Sequence, residues 1–162
     1  MGHGTSATGD YSFAAGHNTK ASGLQSVALG DNTRAEGSNS MAIGDNSQAL
    51  ALNSFAMGNS AQATKNGAIS IGNTTKATGV QSVAMGGSTT ASGSYSSAMG
   101  LSTVASGDNS TAKGYKTEAS GFAAVASGVS SKASGYGATA MGVSTSASAQ
   151  GATAMGELAV AS

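Results

Sequence analysis

Ser26-Val27-Ala28-Leu29-Gly30 returns fourteen residues later as Ser40-Met41-Ala42-Ile43-Gly44, and this spacing decides the fold. Inside each quintet small and large side chains alternate, the signature of a strand. Cutting the chain at Gly9, Gly23, Gly37, Ala51, Lys65, Gly79, Gly93, Gly107, Gly121, Gly135 and Ala149 gives eleven 14-residue segments that end at Ser162 without insertion or deletion. Residues 1–8 fit the last eight positions of another copy, with Met1 in the column of Met57, Met85 and Met99. Numbered from these cuts, position 8 is Gly throughout, from Gly16 to Gly156, and position 13 is Ala throughout, from Ala21 to Ala161. Position 6 is Ala in every copy except one, where Ser70 stands.

A 14-residue unit is too short for a helical hairpin repeat, which takes about 30 residues or more. It accommodates two strands of about five residues and two tight corners, which makes each copy one coil of a two-layer β-solenoid with parallel ladders between coils. The chain has no Pro, as interior ladder strands require. Gly at positions 1 and 8, half a period apart, is expected to supply the corners, by positive φ or by close backbone approach.

Composition sets the limits. Gly (25) and Ala (32) dominate, while Leu, Ile, Val and Phe together number 20, too few for a conventional core. Seven basic and seven acidic residues give a net charge of zero, which leaves no electrostatic footprint for nucleic acid or an anionic membrane. With no Cys, disulfides and thiolate-held zinc are excluded. No apolar run of 18 residues and no basic-then-apolar leader is present.

The columns assign the faces. Positions 4, 6, 8, 11 and 13 hold only Gly, Ala, Ser or Thr. Positions 5 and 7 hold Phe13, Val27, Leu29, Met41, Ile43, Phe55, Met57, Ile69, Ile71, Val83, Met85, Met99, Val125, Met141 and Met155. Positions 10, 12 and 14 are mostly polar and include Lys20, Arg34, Glu36, Lys76, Glu118 and Lys132. Turning the large apolar residues inward would bury those charges opposite them, at several kcal/mol each. The small columns therefore line the interior and the large apolar ones point outward. Covering these fifteen side chains represents a gross term on the order of 30 kcal/mol. A soluble chain does not leave such a surface wet, and identical columns match coil for coil in an obligate homo-oligomer.

Asn39-Ser40-Met41-Ala42-Ile43-Gly44-Asp45-Asn46-Ser47 differs only at Met41 from NSVAIGxxS, the repeat motif of YadA-like heads in trimeric autotransporter adhesins. Gln25-Ser26-Val27-Ala28-Leu29-Gly30, Asn53-Ser54-Phe55-Ala56-Met57-Gly58 and Gln81-Ser82-Val83-Ala84-Met85-Gly86 are close variants. The resemblance runs through residues 1–162 as a single head fragment. It implies a left-handed parallel β-roll and a homotrimer with the third and fifth motif side chains at the subunit interface. It also implies an extracellular head on a Gram-negative surface, held in the outer membrane by a region absent from this sequence. The implied activity is adhesion to host cells or extracellular matrix, with collagen-type ligands. A passive spacer that projects another adhesive domain is the alternative. No stalk heptads, neck or membrane barrel are apparent. Lys113 and Ser127 depart from the fifth motif residue, Ser70 from its Ala, and Ala124, Ala138 and Ala152 from its Ser.

Several residues are candidates for sites. His3 and His17 share position 9 in adjacent coils, with Asp31 and Asp45 continuing the column, so a metal clip is conceivable, although corner packing explains them as well. Lys113 breaks the apolar column 7, and its copies would converge in a symmetric oligomer, either around a bound anion or by snorkelling to solvent. Asn39 and Asn46 are candidate ligand contacts, Asn18, Asn32 and Asn46 forming a possible corner ladder. Phe122 and Tyr136 pair at position 2 as a surface aromatic anchor or as mutual packing. The Thr column of Thr19, Thr33, Thr75, Thr89, Thr103, Thr117 and Thr145 faces inward, which argues against an ice-binding array. No nucleophile, base and orienter stand together, so neither catalysis nor a cofactor is expected.

Overall fold

The computed structural model describes residues 2–162, and Met1 lies outside the described residues. The chain winds as a parallel β-solenoid. Eleven five-residue strands, from Phe13–His17 to Thr153–Glu157, form one sheet in strict sequence order. Twelve two-residue strands, from Ser6–Ala7 to Val160–Ala161, form the other. Every pairing is parallel and in register at one period: Val27 lies against Met41, Ala28 against Ala42 and Ala35 against Ala49. At ladder spacing the rod is about 50 Å long.

The two strands of a coil are thus unequal. Positions 5–9 form a full strand, but only positions 12 and 13 pair regularly on the opposite side, because the corners consume more of the coil than two tight turns would.

One corner falls at position 10, where the Asn18, Asn32 and Asn46 column marks it, and the other at position 3. Left-handed φ values occur at positions 3 and 10, and most residues there are not glycine: Gln25 (55°), Asn39 (55°), Tyr95 (59°), Asn46 (53°), Thr74 (54°) and Lys116 (53°). A left-handed residue costs roughly 1–2 kcal/mol. What holds it is direction. Strand amides donate forward to the next coil, as Val27 N–H does to Ser40 O at 2.9 Å and Lys20 N–H to Thr33 O at 2.8 Å. Corner amides donate backward, as Gln25 N–H does to Asp10 O (2.8 Å) and Asn46 N–H to Asp31 O (2.9 Å). The left-handed residue reverses the peptide so that each coil boundary is bonded from both sides.

Glycine at position 8 serves close approach. Its φ runs from 111° to 135°, and a Cβ on Gly58 would stand 2.1 Å from the carbonyl oxygen of Gly72. This column is half-exposed rather than interior, which corrects its assignment to the inward set. Glycine at position 1 has no positive φ and is largely buried, as at Gly23 and Gly79. There a Cβ on Gly79 would meet Gly93 O at 2.0 Å. Gly79 N–H also donates to Ala91 O (3.2 Å), a bond that Ala51 and Lys65 do not make with the coil after them.

The interior is thin. Ala28, Ala35, Ala42 and Ala49 are fully buried, as are Thr33 and Ser47. Positions 4, 6, 11 and 13 supply almost all of this core, so the inward placement of the small columns and of the Thr column holds.

Candidate functional surfaces

Positions 5, 7 and 9 of the long strands point to one side of the sheet, away from the roll interior. In-register stacking lets each large apolar residue cover part of the next. Val27, Leu29, Met41, Ile43, Phe55, Ile69, Ile71, Val83, Met99 and Val125 are half-buried by their ladder neighbours. Phe13, Met57, Met85, Met141 and Met155 remain exposed, Phe13 to 55% and Met57 to 38%. This is a largely apolar face, interrupted in its later coils at Ser97, Thr111, Lys113, Ser127, Thr139 and Thr153, and intrachain stacking cannot cover it further.

Column 9 extends that face in a way the sequence reading passed over. Its early members are polar (His17, Asp31, Asp45, Asn59), whereas Leu101, Tyr115, Val129 and Val143 make an exposed apolar ladder farther along. The usable signal was the period of two, which places column 9 beside columns 5 and 7. Lys116 lies over the Tyr115 ring, 5.1 Å from its centroid.

The histidines pack on each other. The His3 and His17 rings stack with centroids 5.3 Å apart and planes 18° from parallel. His17 Nδ1–H donates to Asp31 Oδ1 at 2.7 Å, which fixes the tautomer with a proton on Nδ1. Among the described residues no three His, Cys, Asp or Glu side chains converge as metal ligands. Farther along the column Asn59 Nδ2 and Asn46 Nδ2 both donate to the Asp45 carboxylate, at 3.1 and 2.8 Å.

The four residues considered for a ligand surface do not form one site. Asn39 and Asn46 occupy opposite corners of the coil, positions 3 and 10. Phe122 and Tyr136 stack with centroids 5.0 Å apart and planes 13° from parallel, six coils away from Asn39. Beside that pair, Cβ atoms added to Gly137 or Gly151 would meet nothing within 4 Å, so the corner opens there.

On the short-strand face, Glu36 collects two cations: Arg34 Nη2 at 2.6 Å and Lys20 Nζ at 3.1 Å. The Arg34 and Lys20 hydrogen bonds hold the Glu36 carboxyl below its ordinary value of 4.5. Positions 12 and 14 share a face, which turns the stacked like charges of Lys20 and Arg34 into a bridged triad. Lys132 Nζ meets Glu118 Oε2 at 3.2 Å, the opposite pairing the columns imply. Lys113 is exposed on the apolar face, laddered between Met99 and Ser127.

A family profile described as YadA head domain repeat matches residues 1–19, 7–33, 35–61, 49–75, 63–89, 77–103, 91–117, 119–145 and 133–157. Together these spans leave out only residues 34, 118 and 158–162. No curated protein matches the chain.

Proposed function

The chain belongs to the YadA head domain repeat family, a family of adhesin heads that are trimeric in general, and from that premise we propose how this head works. It assembles as a homotrimer displayed at a Gram-negative outer membrane and attaches the cell to host surfaces or extracellular matrix, with collagen-type proteins as the ligand class. The observation that carries the assembly is the apolar face of columns 5 and 7. It is interrupted by only a few polar residues, runs the length of the rod, and leaves Met57, Met85 and Met141 more than a third exposed in a single chain. Fifteen large side chains in register on one side match a second and third copy coil for coil. The outward residues of that face are the interface, from Phe13 and Val27 to Met141 and Met155.

Attachment then follows from repetition. Each coil offers the same backbone surface one ladder step from the last, and three equivalent sides multiply it. Linked weak contacts gain a factor of roughly 10²–10⁴ in avidity without a deep pocket. Sedimentation equilibrium and adsorption to immobilised collagen and other matrix proteins test the two parts. A mass three times the 15.3 kDa of the chain with saturable binding is expected. A trimer indifferent to every matrix protein would instead mark a spacer that projects another adhesive domain.

A further inference from the structure

The apolar face is broken at Thr139 and Thr153 farther along column 5 and, before them, at a contiguous set of residues that carries the only charge of columns 5 and 7. Ser97 and Thr111 replace large residues in column 5, and Lys113 and Ser127 replace them in column 7. The ladder registers make these four contiguous: Ser97 lies against Thr111, and Lys113 lies between Met99 and Ser127. Thr111 and Lys113 are two residues apart on one strand and so point to the same side. Val83, Met85 and Met99 precede this island, Val125 and Met141 follow it, and Leu101, Tyr115 and Val129 flank it in column 9. Three hydroxyls and an ammonium thus stand together on a mostly apolar face, with the Thr139 hydroxyl one strand beyond.

The island contains no negative charge. From residue 83 to residue 143, columns 5, 7 and 9 hold no carboxylate. The nearby acids face elsewhere and are engaged: Asp108 Oδ1 accepts the Ser94 N–H at 2.8 Å, and Glu118 accepts from Lys132. The Lys113 ammonium has no hydrogen-bond or ion-pair partner among the described residues. Covering an ammonium without a counter-charge is strongly unfavourable, whereas hydroxyls and ammonium together are the donor set of an anion site.

We propose that Ser97, Thr111, Lys113 and Ser127 form the wall of a small inorganic anion site that closes when copies of this chain pack face to face. Each subunit contributes its own Lys113, so the site is incomplete in one chain. Accumulated positive charge at the shared seam is neutralised by a halide-sized ion, and the hydroxyls of columns 5 and 7 complete its shell. The inference rests on the self-association proposed above.

The test uses the full chain in sodium bromide and in sodium gluconate at equal ionic strength, with sedimentation equilibrium run in both. The expected result is an oligomer whose Tm rises saturably with bromide. That rise is lost in Lys113→Met, whose side chain already stands in column 7 at Met99 and Met141, and in Lys113→Gln, which stays polar without the charge. Crystals grown in bromide show an anomalous peak against the Lys113 ammonium. An oligomer whose Tm ignores bromide, or a Lys113→Met variant with the wild-type response, overturns the site and leaves the assembly standing. A monomeric wild type overturns the assembly, and the site with it.

Discussion

Ser70 Oγ stands 2.8 Å from Thr75 Oγ1 across the interior of the fifth complete coil, joining the two sheets by a side-chain hydrogen bond. Both residues are fully buried. Ser70→Ala leaves the Thr75 hydroxyl without a partner and is expected to cost about 1–2 kcal/mol. Adding Thr75→Val to that variant removes the orphan and restores most of the loss. Denaturant midpoints of the wild type, both single variants and the double variant read this directly, and additive losses would contradict it.

The same column carries the opposite sign elsewhere. Thr33 and Thr103 hydroxyls are buried with no partner among the described residues. Thr33→Val keeps the shape and deletes the unsatisfied group, so it is expected to stabilise by about 1 kcal/mol. Thr75→Val alone, which strands Ser70, destabilises. One substitution at two equivalent positions should therefore move the unfolding midpoint in opposite directions.

Glycines separate in the same manner. Gly58 has φ 135° and a Cβ there would strike Gly72 O at 2.1 Å, so Gly58→Ala is expected to cost upwards of about 3 kcal/mol or to prevent folding. Gly137 has φ 64° and an added Cβ would meet nothing within 4 Å. Its equivalent one coil earlier is Ala123 at φ 52°, so Gly137→Ala costs only about 1 kcal/mol. Comparable losses from the two substitutions would rule out inter-coil contact as the cause.

Glu36 gives a pH signature. Its carboxyl is held below the ordinary 4.5 by Arg34 first and then Lys20. A carboxyl depressed in the folded state contributes stability that is full above its unfolded value and fades as pH falls through the folded one. The triad is solvent-facing, so the contribution is screened to less than about 1 kcal/mol. Wild type minus Glu36→Gln stability is expected to be positive at pH 7 and to vanish in the acid range below pH 4.5. High salt should shrink the difference at neutral pH.

The assembly face has its own test. Ile43→Lys places a charge in the middle of column 7 and is expected to reduce the sedimenting mass to that of one chain, 15.3 kDa. Gln48→Lys, on the short-strand face where Arg34 already occupies the column, leaves the mass unchanged. Equal behaviour of the two would place the interface elsewhere.

Much of the architecture is legible in the residues. Columns 4, 6, 11 and 13 read as interior because their side chains are uniformly small, and Ala42, Thr33 and Ala35 are where that reading puts them. The corners are legible only in part: Asn18, Asn32 and Asn46 mark position 10 as a left-handed turn, but the other residue types at positions 3 and 10 do not. Tyr95, Thr74 and Gln25 are poor choices for left-handed φ, and only the backward bond to the preceding coil explains them. Column 8 read as interior because glycine is small, whereas its smallness serves the backbone of the next coil. Glu36 between Lys20 and Arg34 required knowing that positions 12 and 14 share a face. Asn39, Asn46, Phe122 and Tyr136 were each read as surface, but their separation around and along the rod depends on the winding.

Every boundary between coils shares the same forward bonds from the strands and backward bonds from the left-handed corners, the position-1 bond alone being absent where Gly is replaced, as at Ala51 and Lys65. Removing any fourteen consecutive residues therefore joins two edges that already fit. Loss or gain of one repeat changes the length of the rod in whole steps of about 4.8 Å. The length of the rod is thus quantised by repeat number, with no new joint to be built at any size.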